Sequence, residues 1–323
     1  MTPFPLPIEV ALAAPIEALP EQLHGEIAQA KWDGWRAIVR TGPSARIWSR
    51  HGTDLTRPFA DVAAEAEKLP VGVLDGELLA VTATGEVLFS RLQTRAGKGP
   101  RSGADFTVQF AAFDALAAGE QDLRREPLTS RLGRLAELLD GGPRAIWPLP
   151  STTDLDEATG WVGAVGGAVE GLVLKPKESP YLSRYGSRWR KWRERHPVDA
   201  VVVGITVSDA NRQAAVLAQP DPAGRLRTVG VSLPLTPAQR AELAPLLRPA
   251  GDGRVAELPG TVGGLPGAPP VAYLPVEPDV VVEILVDQAR PEFGRYRHRP
   301  RLVRVRADLQ PAHLMLPGPV RRS

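Results

Sequence analysis

Lys31-Trp-Asp-Gly-Trp-Arg36 sets a lysine, an acid, a glycine and an arginine close together in a chain with few lysines. The plain reading is a strand end and turn, with an exposed lysine paired to Asp33. The chemical reading is a nucleophile. A lysine attacks phosphorus only as the neutral amine, and its reference pKa is about 10.4, so cations and partial desolvation must act on it. Arg36, the flanking Trp32 and Trp35 and a bound divalent ion could supply both effects. Asp33 opposes them, which leaves it orientation or metal contact. Gly34 permits a tight turn that returns Arg36 toward the lysine.

Companions extend the pattern. Arg50 precedes a turn in Ser-Arg-His-Gly. Asp75 and Glu77 share parity inside an apolar strand, so both leave one sheet face and need a partner or a metal. Phe110 and Phe113 point to opposite faces, one toward core and one free to stack on a base, although plain core is the commoner fate of a strand aromatic. Glu170 and Lys175, in Glu-Gly-Leu-Val-Leu-Lys, have opposite parity; they share a site only if Glu170 precedes the regular strand or a bulge intervenes. Lys191 and Arg193 sit two apart on one strand face, aimed at one anion. Lysine, acids and strand-borne cations together are what nucleotidyl transfer requires. The amine attacks an α-phosphorus, a metal on carboxylates offsets oxygen charge, and cations stabilise the transition state.

The elements that must position these residues are mostly strands. Alternation predicts strands over "EIAQAKW", "RAIVR", "ARIWSR", "VGVLDGELLAV", "FTVQFAAFDAL", "VEGLVLK" and "SRWRKWR". "RPFADVAAEAEKLP" reads as a helix with Phe59, Val62, Ala63 and Ala66 on one face, Pro58 in its first turn and Pro70 as its stop. "PLTSRLGRLAELLDGG" is a second, striped by Leu128, Leu132, Leu135, Leu138 and Leu139 and stopped at Gly141. "DLDEATGWVGAVGG" is a shorter one. Past His196-Pro197 the texture turns to β-branched strands, "VDAVVVGITV", "RLRTVGVSL" and "DVVVEILVD", with the helix "TPAQRAELAPLL" and a Pro/Gly-rich loop over 257–270. Mixed α/β is thus followed by a compact β-barrel-like module.

Composition narrows the chemistry. The 323 residues include no cysteine and five scattered histidines, which excludes disulfides and thiolate catalysis and leaves hard ions on carboxylates as the metals to expect. No basic start precedes an apolar run, and none of the runs approaches the roughly 20 residues of a membrane span, so a cytoplasmic protein is expected. Net charge is only +2, yet Arg184, Arg188, Arg190, Lys191, Arg193 and Arg195 face one acid, Glu194. Arg290, Arg295, Arg297, Arg299, Arg301, Arg304 and Arg306 face Glu292 alone. Such clusters suit a phosphate backbone; the alternative is a solvated basic face.

In these ordered motifs the sequence resembles the covalent nucleotidyltransferase superfamily, and within it the ATP-dependent DNA ligases of the minimal bacterial kind. The resemblance runs from "PIEVALA" to "RHRPRLVRVRADLQP". It implies an α+β fold: a nucleotidyltransferase (adenylation) domain of antiparallel sheets and flanking helices over 1–195, then an OB-fold β-barrel over 196–323. It implies sealing of 5′-phosphate/3′-hydroxyl nicks in duplex DNA through a lysyl-AMP, in DNA repair. Lys31 would be the nucleophile, and Lys191 and Arg193 would neutralise the α-phosphate. Glu77 and Glu170 would make metal and ribose contacts, and Phe113 would stack on adenine while the backbone near Gln29 reads its edge. Arg36 and Arg50 would hold ribose and the end of the nick, and Lys175 closes the fourth motif. Arg304, Arg306 and Asp308 belong to the last motif, which orients pyrophosphate. Arg193 stands where the family usually has lysine, and Leu309 where the last motif ends in lysine. ATP, with AMP as covalent adduct, and magnesium or manganese are the implied cofactors; nicked duplex DNA and repair or end-joining proteins are the implied partners of a monomer. An RNA ligase or a capping-type guanylyltransferase shares Lys-x-Asp-Gly, and a non-catalytic nucleic-acid-binding module could keep the fold.

Overall fold

Alternation of apolar and polar side chains does produce strands along most of the expected segments. In chain order the first part contains β1 (Ala11–Pro15), β2 (Glu26–Trp32), β3 (Trp35–Arg40), β4 (Arg46–Ser49), helix α1 (Ala60–Ala66) and β5 (Gly72–Thr82). Helix α2 (Phe89–Arg95), β6 (Phe106–Ala118), β7 (Gln121–Asp122) and helix α3 (Leu128–Leu139) follow. Then come β8 (Ile146–Pro148), β9 (Ser151–Thr152), helices α4 (Leu155–Gly160) and α5 (Ala164–Gly167), β10 (Val169–Pro176) and β11 (Arg184–Arg193). The computed structural model describes residues 2–95, 99–100, 104–208, 212–258, 270–287, 291, 294–296 and 298–315. It divides into two units, Met1–Glu194 and Arg195–Ser323.

Two sheets build the first unit. One has the order β1-β11-β10-β2-β9, the other β4-β3-β5-β6-β7 with β8 added on β6. The sequence neighbours β2 and β3 lie in different sheets, so the chain crosses from one to the other at Asp33-Gly34. A Cβ on Gly34 would stand 2.3 Å from the Leu78 carbonyl oxygen and 2.7 Å from Glu77 Cγ. Glycine is required there by the close passage of β5, and its φ is not in the left-handed range, which corrects the turn-based expectation. Ile38, Trp48, Val73 and Leu116 of one sheet pack with Ala11 and Trp189 of the other and with Tyr181. The outer face of the second sheet is covered by α1, α2 and α3 through Val62, Leu92, Leu135 and Leu138, against Leu74, Leu78 and Phe110. Each such side chain, fully buried, contributes about 1.5–3 kcal/mol.

Two helices depart from expectation in detail. α1 begins at Ala60 with Phe59 at its N-cap, so Pro58 precedes the helix. On α3, Leu132 is half-buried, while Arg131 is fully buried on the inward face. The chain leaves α3 through Gly141 at φ +62, the left-handed conformation that ends helices. The Arg131 guanidinium donates to both oxygens of the equally buried Asp114 at 2.8 and 2.9 Å, and to the carbonyls of Glu126 and Ser179 at 2.6 and 2.7 Å.

The second unit contains β12 (His196–Thr206), β13 (Ala215–Pro220), β14 (Leu226–Val231), helix α6 (Pro237–Leu243), β15 (Ala256–Leu258), β16 (Val271–Val286), β17 (Arg301–Val305) and helix α7 (Pro311–Met315). Its sheet runs β14-β13-β12-β16, with β15 and β17 both paired to β16. Leu233 N donates to Pro300 O and Tyr296 N to Val229 O, each at 2.7 Å, which joins the β14 edge to the segment entering β17. Val202, Leu217, Val282 and Ile284 form the core. α6 starts with a reciprocal capping box between Thr236 and Gln239. Of the loop expected over 257–270, Glu257 and Leu258 belong to β15, and 259–269 lie outside the described residues, as do Arg290, Glu292 and Arg297. Among the described residues no helix is long and apolar enough to cross a membrane.

Truncating Asp114 would leave the Arg131 charge buried without its carboxylate. Asp114→Ala is expected to cost about 3–5 kcal/mol, measured by urea unfolding; a loss below about 1 kcal/mol would show that this pair does not hold α3 to β6.

Candidate active site

Residues directly opposite in an antiparallel ladder share a face. Lys31 is opposite Gly171 and Gln29 opposite Val173, while Val173 also faces Lys191 and Gly171 faces Arg193. One face of the first sheet therefore carries Gln29, Lys31, Lys191 and Arg193. Glu170 joins them through a bulge: pairing passes from Val169–Trp32 straight to Gly171–Lys31, which leaves Glu170 as the extra residue. The parity conflict between Glu170 and Lys175 is thereby removed. Lys31 Nζ forms an ion pair with Glu170 Oε1, and Arg193 Nη2 lies 3.2 Å from the same oxygen. A Cβ on Gly171 would stand 2.1 Å from the Trp192 carbonyl oxygen, so only glycine lets β11 run this close. Partial burial, reinforced by Arg193, Lys31 and Arg50, holds the Lys191 amine below its ordinary pKa. Arg50 itself is exposed, with Nε 2.9 Å from His51 Nε2.

The second sheet contributes the acids and the aromatic. Glu77 is pushed up to about 8 by burial, helped by Asp33 and Asp75 and resisted by Lys31 and Arg36. Asp33 is buried, and its amide donates to Ala168 O at 3.1 Å. Phe110 is fully buried and Phe113 partly exposed on the other face, as their spacing implies. Pairing jumps from Asp75–Asp114 to Gly76–Ala112, so Phe113 is itself a bulge residue. Its ring meets Trp189 edge-on, with centroids 6.3 Å apart.

Arg36 and Lys175 go elsewhere than expected. Arg36 turns to Asp75, donating at 3.0 and 2.6 Å, and to the Ala11 carbonyl at 2.5 Å. The Tyr181 hydroxyl donates to Asp75 at 2.6 Å and accepts from Arg36 at 3.3 Å. Lys175 is 2 % exposed, donates to Phe113 O at 3.3 Å, and lies 3.9 Å over the Trp189 ring and 4.3 Å over Phe113. Burial, assisted by Arg36 and Arg131, brings it down to about 7 against the pull of Asp114 and Asp75. Both cations support the aromatic from within, and Arg36, opposite Glu77 in the β3–β5 ladder, also acts on its carboxyl. Gln29 Nε2 donates to Phe113 O at 3.3 Å, and its buried Oε1 has no partner. Tyr181 and Trp189 were missed as site residues. Parity pointed to Trp189, two residues before Lys191; nothing local pointed to Tyr181.

The last-motif residues lie in the second unit. Arg304 pairs with Glu283 at 2.8 Å, and Arg306 with Asp308 at 2.8 Å and Asp199 at 2.9 Å. Among the described residues no group of three or more His, Cys, Asp or Glu is assembled for a metal. The donors present, the Glu77 and Glu170 carboxylates, suit a hard ion such as Mg²⁺ that takes its remaining ligands from substrate phosphates and water.

A sheet-borne lysine among cations, facing acids and a half-exposed aromatic across two sheets, defines a nucleotidyltransferase of the ligase-domain kind. The family described as ATP dependent DNA ligase domain matches residues 10–193. DNA ligase C1 of Mycolicibacterium smegmatis is 30% identical over 329 residues, covering 96% of this chain and 93% of the relative. DNA ligase C of Mycobacterium tuberculosis is 30% identical over 336 residues, covering 94% and 91%. The crystal structure of the ligase domain from M. tuberculosis LigD superposes with a TM-score of 0.51 at 23% identity, covering 94% of this chain and 97% of that one. A Lig E DNA ligase structure gives 0.57 at 18%, covering 93% and 100%. The chain belongs to the ATP-dependent DNA ligase family, and it is an enzyme of that kind.

Folded Glu77 keeps its proton up to about pH 8, whereas the unfolded chain releases it near 4.5. Its stabilising contribution is thus complete below pH 4.5 and lost as pH rises toward 8. Glu77→Gln cannot ionise, so its thermal midpoint relative to the wild type is expected to rise from pH 5 to pH 8. A constant difference would contradict the shift.

Proposed function

We propose that this enzyme seals 5′-phosphate/3′-hydroxyl nicks in duplex DNA through a lysyl-AMP at Lys31. The observation that carries the reading is the gathering of Lys31, Glu170, Lys191 and Arg193 on one sheet face, with Glu77 and Phe113 opposite. Lys31 Nζ forms a P–N bond to the α-phosphorus of ATP as the P–O bond to pyrophosphate breaks, and Glu170 is placed to take the amine's proton. Lys191 and Arg193 neutralise the α-phosphate oxygens in this step and again when AMP passes to the 5′-phosphate and is displaced by the 3′-hydroxyl. Glu170 and Glu77 would hold magnesium or manganese, which supplies charge neutralisation at those oxygens.

Phe113 stacks on adenine. The orphaned Gln29 Oε1 is an acceptor suited to an exocyclic 6-amino group, which favours ATP over GTP and so over a capping reaction. Beside a bound cation Glu77 would release the proton that it otherwise keeps, leaving a carboxylate that can also accept from a ribose hydroxyl, and the exposed Arg50 would meet the nick phosphate. Asp33 acts on Glu77's charge, and Arg36 and Lys175 support the ring of Phe113. Residues 1–195 form the adenylation domain and 196–323 an OB-fold. The order β14-β13-β12-β16-β17, with α6 between β14 and β16 in the chain and the β14–β17 side tied by backbone bonds, supports that assignment. There Arg304, Arg306 and Asp308 serve the pyrophosphate-releasing step, with Leu309 leaving the arginines to carry the charge. The enzyme acts as a cytoplasmic monomer in DNA repair.

Incubation with α-labelled ATP and magnesium, followed by denaturing electrophoresis, tests the first step. An acid-labile label from ATP and not GTP is expected, discharged by nicked duplex. Lys31→Ala should abolish labelling with the fold intact, and Lys191→Ala should slow it by about 10²-fold. A labelled Lys31→Ala protein would sink the assignment.

A further inference from the structure

Pleat parity along β2 puts Trp32 on the side away from Lys31, with Ala28, which packs against α4. The indole goes elsewhere. At the end of β2 the chain crosses to the second sheet, and Trp32 packs there with Leu79, Ala111 and Phe113. Trp147 of β8 meets it edge-on, with ring centroids 5.9 Å apart. Ala111 is opposite Glu77 in the β5–β6 ladder and Leu79 lies two residues beyond Glu77, so the indole sits at the level of Glu77 on that face. Its N–H is the anomaly. Trp32 Nε1 is buried and has no hydrogen-bond partner among the described residues, whereas Trp147 Nε1 donates to Gln109 Oε1 at 3.0 Å. Buried donors in folded chains are nearly always paired, so an unpaired one beside a binding site is a place kept for an acceptor on the ligand.

We propose that Trp32 is a specificity-determining residue for the nucleotide, its N–H donating to a ribose hydroxyl oxygen of ATP. The inference rests on the reading of this face as the site of AMP transfer to Lys31. A hydroxyl accepts at oxygen and donates through its own hydrogen. It can therefore take the Trp32 N–H and give its O–H to the Glu77 carboxylate in the same complex. An analogue without that hydroxyl leaves both protein groups unpaired, which is how a site of this kind rejects it.

The test is the rate of AMP attachment against nucleotide concentration, with magnesium, for ATP, 2′-deoxy-ATP and 3′-deoxy-ATP. The wild type is expected to prefer ATP to one of the two analogues by at least about 5-fold, and that analogue identifies the hydroxyl. Equal use of all three would overturn the proposal without any variant. Trp32→Phe keeps an aromatic body and removes the N–H. It should raise the KM for ATP about 5–10-fold with the maximal rate within about twofold, and use the identified analogue as the wild type does. A loss shared equally by ATP and both analogues would place the N–H elsewhere and overturn the proposal. Trp147→Phe removes an N–H that Gln109 already occupies, and should leave the preference for ATP intact. If it erased the preference as fully as Trp32→Phe, packing would be the cause and the assignment would fall. A wild type that attaches AMP from none of the three would overturn the AMP-transfer reading, and this proposal with it.

Discussion

The desolvated pair of Arg36 and Asp75 is the interaction on which the first unit depends. Arg36 leaves β3 and reaches across the gap between the sheets, meeting Asp75 of its own sheet and the Ala11 carbonyl of the other. Tyr181 closes the group by bonding to both members of the pair. Burial works against the guanidinium charge, but Asp75, Tyr181 and Glu77 outweigh it and raise its pKa. In a low-dielectric gap, removing one member strands the charge of the other. The spacing of the two sheets is thus fixed by charge satisfaction as well as by packing.

Lys175 fits the same scheme. Its amine lies against Phe113 and Trp189, with Asp75 and Asp114 pulling it toward the charged form and burial pushing it away. Asp114 is also the partner of Arg131, which anchors α3. The aromatic proposed to meet adenine therefore sits on a platform of charges that continues into the fold's own supports.

Much of this site was legible from strand parity. Lys191 with Arg193, Phe110 against Phe113, and the need for a bulge near Glu170 all follow from counting residues along a pleat. The orientation of Arg36 did not, because its partners Ala11 and Tyr181 are distant in sequence and carry no local signal. The burial of Arg131 ran against the usual fate of arginine, and only Asp114 on another element explains it. Gly34 was recognised as necessary for the wrong reason, since the crowding comes from Leu78, a contact that only the crossing between sheets creates. In the second unit the β-rich texture was visible, while β15 and the edges closing toward β17 depend on partners far along the chain.

The extra residue at Glu170 makes length, not only composition, a determinant of this site. Pleat phase changes at that point, and everything downstream on β10 takes its side from it. A one-residue insertion between Gly171 and Leu174 that spared every reactive group would exchange the facing of Lys175 with that of Leu174, unless the ladder re-registered. Insertions and deletions along this strand are therefore under tighter constraint than many substitutions, and in a comparison of relatives a gap here carries more meaning than a mismatch.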